Sequence, residues 1–190
     1  MEQEDLLKKI AGILHTLDIP YIITGGIAVV VWGRPRFTAD IDIVVELIPQ
    51  KLDALAAALL KIEKDVYLDK DMMRHALDRK GEFNFIHPAS GLKVDFWMLK
   101  DEPFDRARMR RRVKKKIAGS TIFLTSPEDL ILMKMLWYQE SQSTRQLEDI
   151  ASVLRIQKKL DWRYLRAWAA RQNTMELLNE LRVKNNSRSI

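Results

Sequence analysis

The run Asp40-Ile41-Asp42-Ile43-Val44-Val45 constrains this chain more than any other stretch. Its β-branched residues favour a strand, and in a strand successive side chains point to opposite faces. Ile41, Ile43 and Val45 therefore share one face, and Asp40 and Asp42 the other. The aliphatic face belongs to a core. The aspartate face must meet water, a cation or a ligand, because two like charges a few ångströms apart in low dielectric do not both stay ionised without compensation. The chain has no cysteine and only three scattered histidines, His15, His75 and His87, so disulfides and thiolate sites are excluded and carboxylates are left as the metal donors. Carboxylates are hard ligands, and Mg²⁺ takes one or two of them together with phosphate oxygens.

Spacing predicts what surrounds this strand. Leu6, Leu7, Ile10, Leu14 and Leu17 recur at helical intervals, giving an amphipathic helix that ends near Asp18-Ile19-Pro20. A short strand, YIIT, follows. Gly25-Gly26 then turns the chain into a short helix that Gly33-Arg34-Pro35 breaks. Paired glycines entering a helix let backbone N–H groups approach a phosphate closely. After Pro49, KLDALAAALLKI predicts a helix covering one face of a sheet. FNFIHP and LKVDFWML about Ser90-Gly91 read as a β-hairpin, and VKKKI and TIFLT about Ala118-Gly119-Ser120 as another. From Ser126 the signals are helical, with a frayed end over NNSRSI. With 190 residues, the expected class is α/β (α+β): a mixed sheet flanked by helices over residues 1–125, followed by a helical portion over 126–190.

Asp95 also interrupts an apolar strand and shares a face with Lys93, Trp97 and Leu99. If that strand neighbours the one holding Asp40 and Asp42, three carboxylates meet on one sheet surface. Three can hold two metals about 3.5–4 Å apart, one lowering the pKa of an attacking hydroxyl and the other clamping a triphosphate. Asp95 is then the candidate to help activate the hydroxyl.

Gly25-Gly26, separated from Asp40 by thirteen residues, the run Arg36-Phe37-Thr38-Ala39-Asp40-Ile41-Asp42 and the later Asp95 resemble the nucleotidyltransferase superfamily with the DNA polymerase β-like fold. SPEDLILMK and RQLEDI are similar, more specifically, to small bacterial abortive-infection and toxin–antitoxin nucleotidyltransferases. The resemblance spans Tyr21 to Leu154. It implies a nucleotidyltransferase core, dependence on Mg²⁺ or Mn²⁺, and transfer of a nucleoside monophosphate from an NTP to an acceptor hydroxyl. Asp40, Asp42 and Asp95 would be the catalytic, metal-holding carboxylates, with Gly25, Gly26, Arg36, Thr38 and Lys134 at the nucleotide. An antitoxin partner also fits the resemblance. This chain departs from the pattern at Gln146, where many relatives carry an aspartate three residues before the position of Asp149.

Arg34 and Arg36 flank Pro35, where guanidinium groups can reach phosphate oxygens or simply lie in an exposed loop. Thr38 can bond a phosphate or cap a local turn. The five tryptophans read as packing residues, and His87 as a structural residue at a hairpin turn. The net charge of +6 is local: Arg106 to Lys116 carries eight basic and no acidic residues, leaving the rest of the chain net negative. Such a run suits a polyanionic acceptor such as RNA, or a protein surface; it also suits a solvated surface. Two other classes stay open, a catalytically silent nucleotide-binding module and a nucleic-acid-binding module resting on the basic run. The latter leaves Asp40, Asp42 and Asp95 unexplained. The acidic start, MEQEDLLKKI, is unlike a secretory signal, no stretch is long enough to span a membrane, and a cytoplasmic location is expected.

Ser126, Pro127 and Asp129 predict a capped helix through LILMKMLWY. Leu130, Met133, Lys134 and Trp137 share one face of it, and apolar residues fill the rest. Lys134 therefore either reaches solvent at an edge or meets an anion. The resemblance offers the NTP triphosphate, with Asp149 as an orienting carboxylate. Removing the charge as Lys134→Met is expected to preserve or raise stability.

Overall fold

The computed structural model describes residues 1–117 and 119–187. The chain divides into two compact units, one of Met1–Ile27 with Phe37–Leu124 and one of Ala28–Arg36 with Thr125–Ile190. The second unit thus takes in Ala28–Arg36, a segment that a single cut after residue 125 would assign to the first.

The first unit is built on a seven-stranded mixed sheet. Its strands are β1 (Tyr21–Ile23), β2 (Asp40–Val45), β3 (Tyr67–Leu68), β4 (Glu82–His87), β5 (Leu92–Met98), β6 (Val113–Ile117) and β7 (Ser120–Leu124), in the order β3-β4-β5-β2-β1-β7-β6. The pairs β2–β5 and β1–β7 are parallel and the others antiparallel. Alternation works as expected on β2: Ile41, Ile43 and Val45 are buried, Asp40 is exposed and Asp42 intermediate. Phe83 and Phe96 lie on the aliphatic face, stacked at 4.7 Å between centroids. That face is covered by α1 (Gln3–Thr16), α3 (Pro49–Leu60) and α4 (Lys70–Arg79), which contribute Leu6, Ile10, Leu14, Leu55, Leu59 and Met73 to the core. On the other face, Ile22 and Val44 cluster with Leu99 and with Met109 of α5 (Pro103–Arg110). His87 closes the β4–β5 hairpin by pairing with Ser90 and Glu63, each at 2.7 Å.

The short helix α2 (Gly25–Trp32) begins at the glycines themselves. Two elements were not foreseen. Residues 67–79 form β3 and α4, whose start Asp69 caps through hydrogen bonds from the Asp71 and Met72 amides. The first half of the basic run lies in α5, which is entered through Pro103 at a first-turn position.

The second unit carries α6 (Pro127–Ser141), α7 (Thr144–Ile156), α8 (Trp162–Arg171) and α9 (Met175–Ser187). The expected Ser126 cap is present: its Oγ accepts from the Asp129 amide at 3.1 Å and donates to the Asp129 carboxylate at 2.7 Å. Trp32 donates to the Thr125 carbonyl at 2.8 Å, and Gln157 donates to the Trp32 carbonyl at 2.6 Å. The end expected to fray is helical to Ser187; its last three residues, 188–190, lie outside the described residues, as does Ala118 of the predicted hairpin turn. Among the described residues no helix is long and apolar enough to cross a membrane.

The basic run is not one uniform strip. Arg106 pairs with Glu46 and Asp101, and buried Arg108 pairs with Asp105 at 2.5 Å. Arg112 lies 4.9 Å over the Phe123 ring. Lys114 and Lys116 are exposed on β6, an edge strand, where lysines oppose edge-to-edge pairing with another chain. Replacing both by Val is expected to leave far-UV circular dichroism unchanged. It should produce concentration-dependent association in sedimentation velocity at micromolar protein.

Candidate functional site

The carboxylate face is assembled by the parallel register of β2 and β5. Asp42 is the direct partner of Asp95, and Asp40 of Lys93. Neighbouring strands lie about 4.8 Å apart, so the Asp42 and Asp95 side chains stand next to one another on one face. On the far side of β5, Asn84 of β4 is the partner of Asp95 and Glu82 the partner of Trp97. The row therefore reads Asn84, Asp95, Asp42 across three strands.

The two central carboxylates are treated differently. Asp95, 7% exposed, has its charge met by this chain: Lys93 Nζ lies 2.9 Å from Oδ2, and Asn84 donates to Oδ1. Asp42 has no such cation among the described residues. Burial raises its carboxyl above the usual range, and the charges of Asp95 and then Asp40 push it the same way; hydrogen bonds from the Trp97 side chain and the Gly26 amide oppose them. Asn84 is the residue that sequence reading missed, and Trp97, placed on this face by the sequence, was read there as a packing residue. Both stand on the carboxylate face by strand alternation, but their neighbours become visible only once register is known.

The glycines serve the aspartates directly. Gly25 has φ +58°, and a Cβ there would sit 1.8 Å from Asp42 Oδ2; a Cβ on Gly26 would sit 2.2 Å from Thr38 Oγ1. The glycine pair thus lets Asp42 and Thr38 close onto the start of α2. Thr38 also donates to the Asp40 carbonyl at 3.4 Å, a local turn contact. The buried Thr24 hydroxyl, beside the Asp42 position on the β1 side, has no hydrogen-bond partner among the described residues.

Arg36 and Lys134 belong to the second unit and meet there on Asp149. Arg36 forms a bidentate pair with it, at 2.8 and 3.0 Å. Lys134, 3% exposed, reaches Asp149 at 2.8 Å and Gln146 at 2.9 Å, with the Trp137 ring 5.4 Å away. Burial would raise the Asp149 carboxyl, but hydrogen bonds from Arg36 and Lys134, with their charges, outweigh it and hold the group below its usual range. The anion that the position of Lys134 demands is thus supplied within its own unit. The expectation that Lys134→Met would preserve or raise stability is corrected: the ammonium is paired, and its loss removes a partner from a buried carboxylate. Arg34 makes an exposed pair with Glu148, at 3.0 Å.

Among the described residues, no three carboxylates and imidazoles are gathered closely enough to cage an ion by themselves. The donor set nevertheless fits a hard divalent cation that shares its coordination with substrate phosphates: Asp40 and Asp42 lie on one face, and Asp42 is uncompensated by any cation among the described residues.

Gly25→Ala is expected to lower both stability and activity, because the added methyl collides with Asp42 and strains a left-handed backbone. Thermal unfolding should show a drop of several degrees, with activity reduced at least about tenfold. Asp149→Asn leaves buried cations short of an anion and should cost about 3–5 kcal/mol in denaturant unfolding at pH 7. Because the folded carboxyl lies low, its contribution is present above the unfolded value of about 3.9 and is lost as pH falls through the folded value. The gap between wild type and variant should therefore narrow in acid.

The family model described as "Nucleotidyl transferase AbiEii toxin, Type IV TA system" matches residues 11–187. Among solved structures, the chain is similar to an antigenic nucleotidyltransferase-like protein from Paracoccidioides brasiliensis, at 21% identity over 94% of this chain and 91% of that one, with a TM-score of 0.59. The antibiotic-resistance factor ANT(2'')-Ia is similar at 17% identity over 94% and 95%, with a TM-score of 0.60. The lincomycin-bound lincosamide antibiotic adenylyltransferase LnuA is similar at 15% identity over 83% and 98%, with a TM-score of 0.53. At these identities the structures establish the fold. No curated protein matches the sequence significantly.

Proposed function

This chain belongs to the nucleotidyl transferase AbiEii toxin family and is a nucleotidyltransferase; on that premise we propose that Asp40, Asp42 and Asp95 hold Mg²⁺ or Mn²⁺ while a nucleoside monophosphate passes from an NTP to an acceptor hydroxyl. The observation that carries this reading is the pairing of Asp42 with Asp95 across parallel strands, with Asp42 left without a cation among the described residues. When bound, the ion supplies charge for the phosphate oxygens and lowers the pKa of a nearby hydroxyl.

The chain's own residues have separable tasks. Gly26 and Trp97 orient the Asp42 carboxylate by hydrogen bonds. Asp95, whose Oδ1 accepts from Asn84, would take the proton of the acceptor hydroxyl. Gly25, Gly26 and Thr38 line the approach to Asp42 from the start of α2, where a nucleotide phosphate would lie. Arg36 and Lys134, expected at the nucleotide, are held on Asp149 within their own unit. The family's description supports a toxin role with an antitoxin partner in a type IV system. For the acceptor, exposed Arg110, Lys114, Lys115 and Lys116 suit a polyanion such as RNA, whereas Arg106 and Arg108 are paired with Glu46, Asp101 and Asp105. The two antibiotic-modifying neighbours favour a small hydroxylated acceptor as the second reading.

Incubation with each α-labelled NTP, Mg²⁺ or Mn²⁺, and separate RNA, protein and small-hydroxyl acceptor pools tests the reading, since the labelled product names nucleotide and acceptor together. Asp42→Asn is expected to cut transfer at least about a hundredfold, a loss of about 2.7 kcal/mol of transition-state stabilisation. In EDTA at pH 7 the same variant should have a higher Tm than wild type. A raised folded pKa means that ionised Asp42 opposes folding, so the advantage should fade as pH falls and wild-type Asp42 takes up its proton. Undiminished transfer in Asp42→Asn would overturn the assignment.

A further inference from the structure

We infer that Lys93 is the metal-free enzyme's substitute for a cation at Asp95: its ammonium neutralises that carboxylate and must leave before Asp95 can help hold a divalent ion. The inference rests on the reading of Asp40, Asp42 and Asp95 as the metal-holding carboxylates.

Four carboxylates, Glu82, Asp40, Asp42 and Asp95, occupy one face of β2, β4 and β5, and Lys93 is the one lysine or arginine in those three strands. Strand alternation puts it on that same face, two residues before Asp95 and directly opposite Asp40. Its Nζ lies 2.9 Å from Asp95 Oδ2 while Asn84 takes Oδ1, so both oxygens of this carboxylate are engaged by the chain. Neither contact reaches Asp42, whose burial and like-charged neighbours leave it in need of positive charge. The face is therefore half compensated: Asp95 is satisfied internally and the Asp40–Asp42 edge is not.

An ammonium within hydrogen-bond distance of one metal ligand repels a divalent ion arriving there, and the repulsion is strong where water is partly excluded. A first ion consequently enters at Asp40 and Asp42. Asp95 joins only when Lys93 swings away, which its flexible stem and 39% side-chain exposure permit. Lys93 is thus a positioning residue that sets the order in which the carboxylates become available. An ordinary surface ion pair in the same place would contribute almost nothing to metal affinity.

The test uses the whole 190-residue chain as wild type, Lys93→Met, Lys93→Gln and Lys93→Arg, stripped with EDTA and titrated with Mn²⁺ alone. Free Mn²⁺ is counted by electron paramagnetic resonance, and thermal unfolding is followed in parallel. Lys93→Met should bind Mn²⁺ at least about tenfold more tightly, equivalent to about 1.4 kcal/mol. It should also unfold at a lower temperature than wild type without metal and gain more from saturating Mn²⁺. Lys93→Gln should behave alike and carries the test if the Met variant does not fold, while Lys93→Arg should stay near wild type. Equal Mn²⁺ affinity in wild type and the uncharged variants overturns the inference and leaves the metal reading intact. Absence of Mn²⁺ binding in every folded variant overturns the metal reading and this inference with it.

Discussion

The parallel pairing of β2 with β5 is the contact on which the candidate chemistry depends. It joins segments about fifty residues apart in the chain and sets Asp42 beside Asp95, Ile43 beside Phe96 and Asp40 beside Lys93. One register serves two faces. A slip of one residue would turn Ile41 and Ile43 toward the carboxylate side and bury Asp40 and Asp42 under α3 and α4. The hydrophobic core thus enforces the positions of the acidic groups: burying Ile41, Ile43, Val45, Phe83 and Phe96 is possible only with the aspartates facing the other way. The chain between β2 and β5 supplies α3 and α4, which cover the aliphatic face, and β4, which carries Asn84 to Asp95.

Both units handle buried charge by pairing rather than exclusion, and they do so to different degrees. In the helical unit Asp149 is fully engaged by Arg36 and Lys134, and Gln146 takes a further bond from the lysine. Gln146 accepts from the ammonium as a neutral group, so two cations share the one negative charge of Asp149. In the sheet unit Asp95 is engaged but Asp42 is not. Uncompensated charge costs stability, and proteins keep such groups where function uses them. The glycine pair belongs to the same economy of space, since any side chain at Gly25 would displace the Asp42 carboxylate.

Much of the fold was legible because local rules and tertiary needs agree. The alternation in Asp40–Val45, the Ser126 cap, both hairpins and the C-terminal helices follow from period, capping chemistry and turn residues. Residues 67–79 were not legible: their sparse apolar positions, Met73, Ala76 and Leu77, make a strong pattern only against the sheet they cover. The basic run misled in part for a related reason. Composition counts charges, whereas Arg106 and Arg108 are spent on Glu46, Asp101 and Asp105, partners that composition cannot assign.

By itself the sequence determined that Asp40 and Asp42 share a face away from the core, that Asp95 shares a face with Lys93 and Trp97, and that Lys134 either reaches solvent or meets an anion. Those statements depend only on the periods of strand and helix and on the cost of burying charge. Tertiary structure alone decided which carboxylate faces which: that Asp95 stands beside Asp42 with Lys93 and Asn84 on its oxygens, that Gly26 and Trp97 donate to Asp42, and that Asp149 is shared by Arg36 and Lys134. Periodicity tells a side chain which way to point, but its neighbour across a strand or helix boundary is set by register and packing, which arise only when distant segments meet.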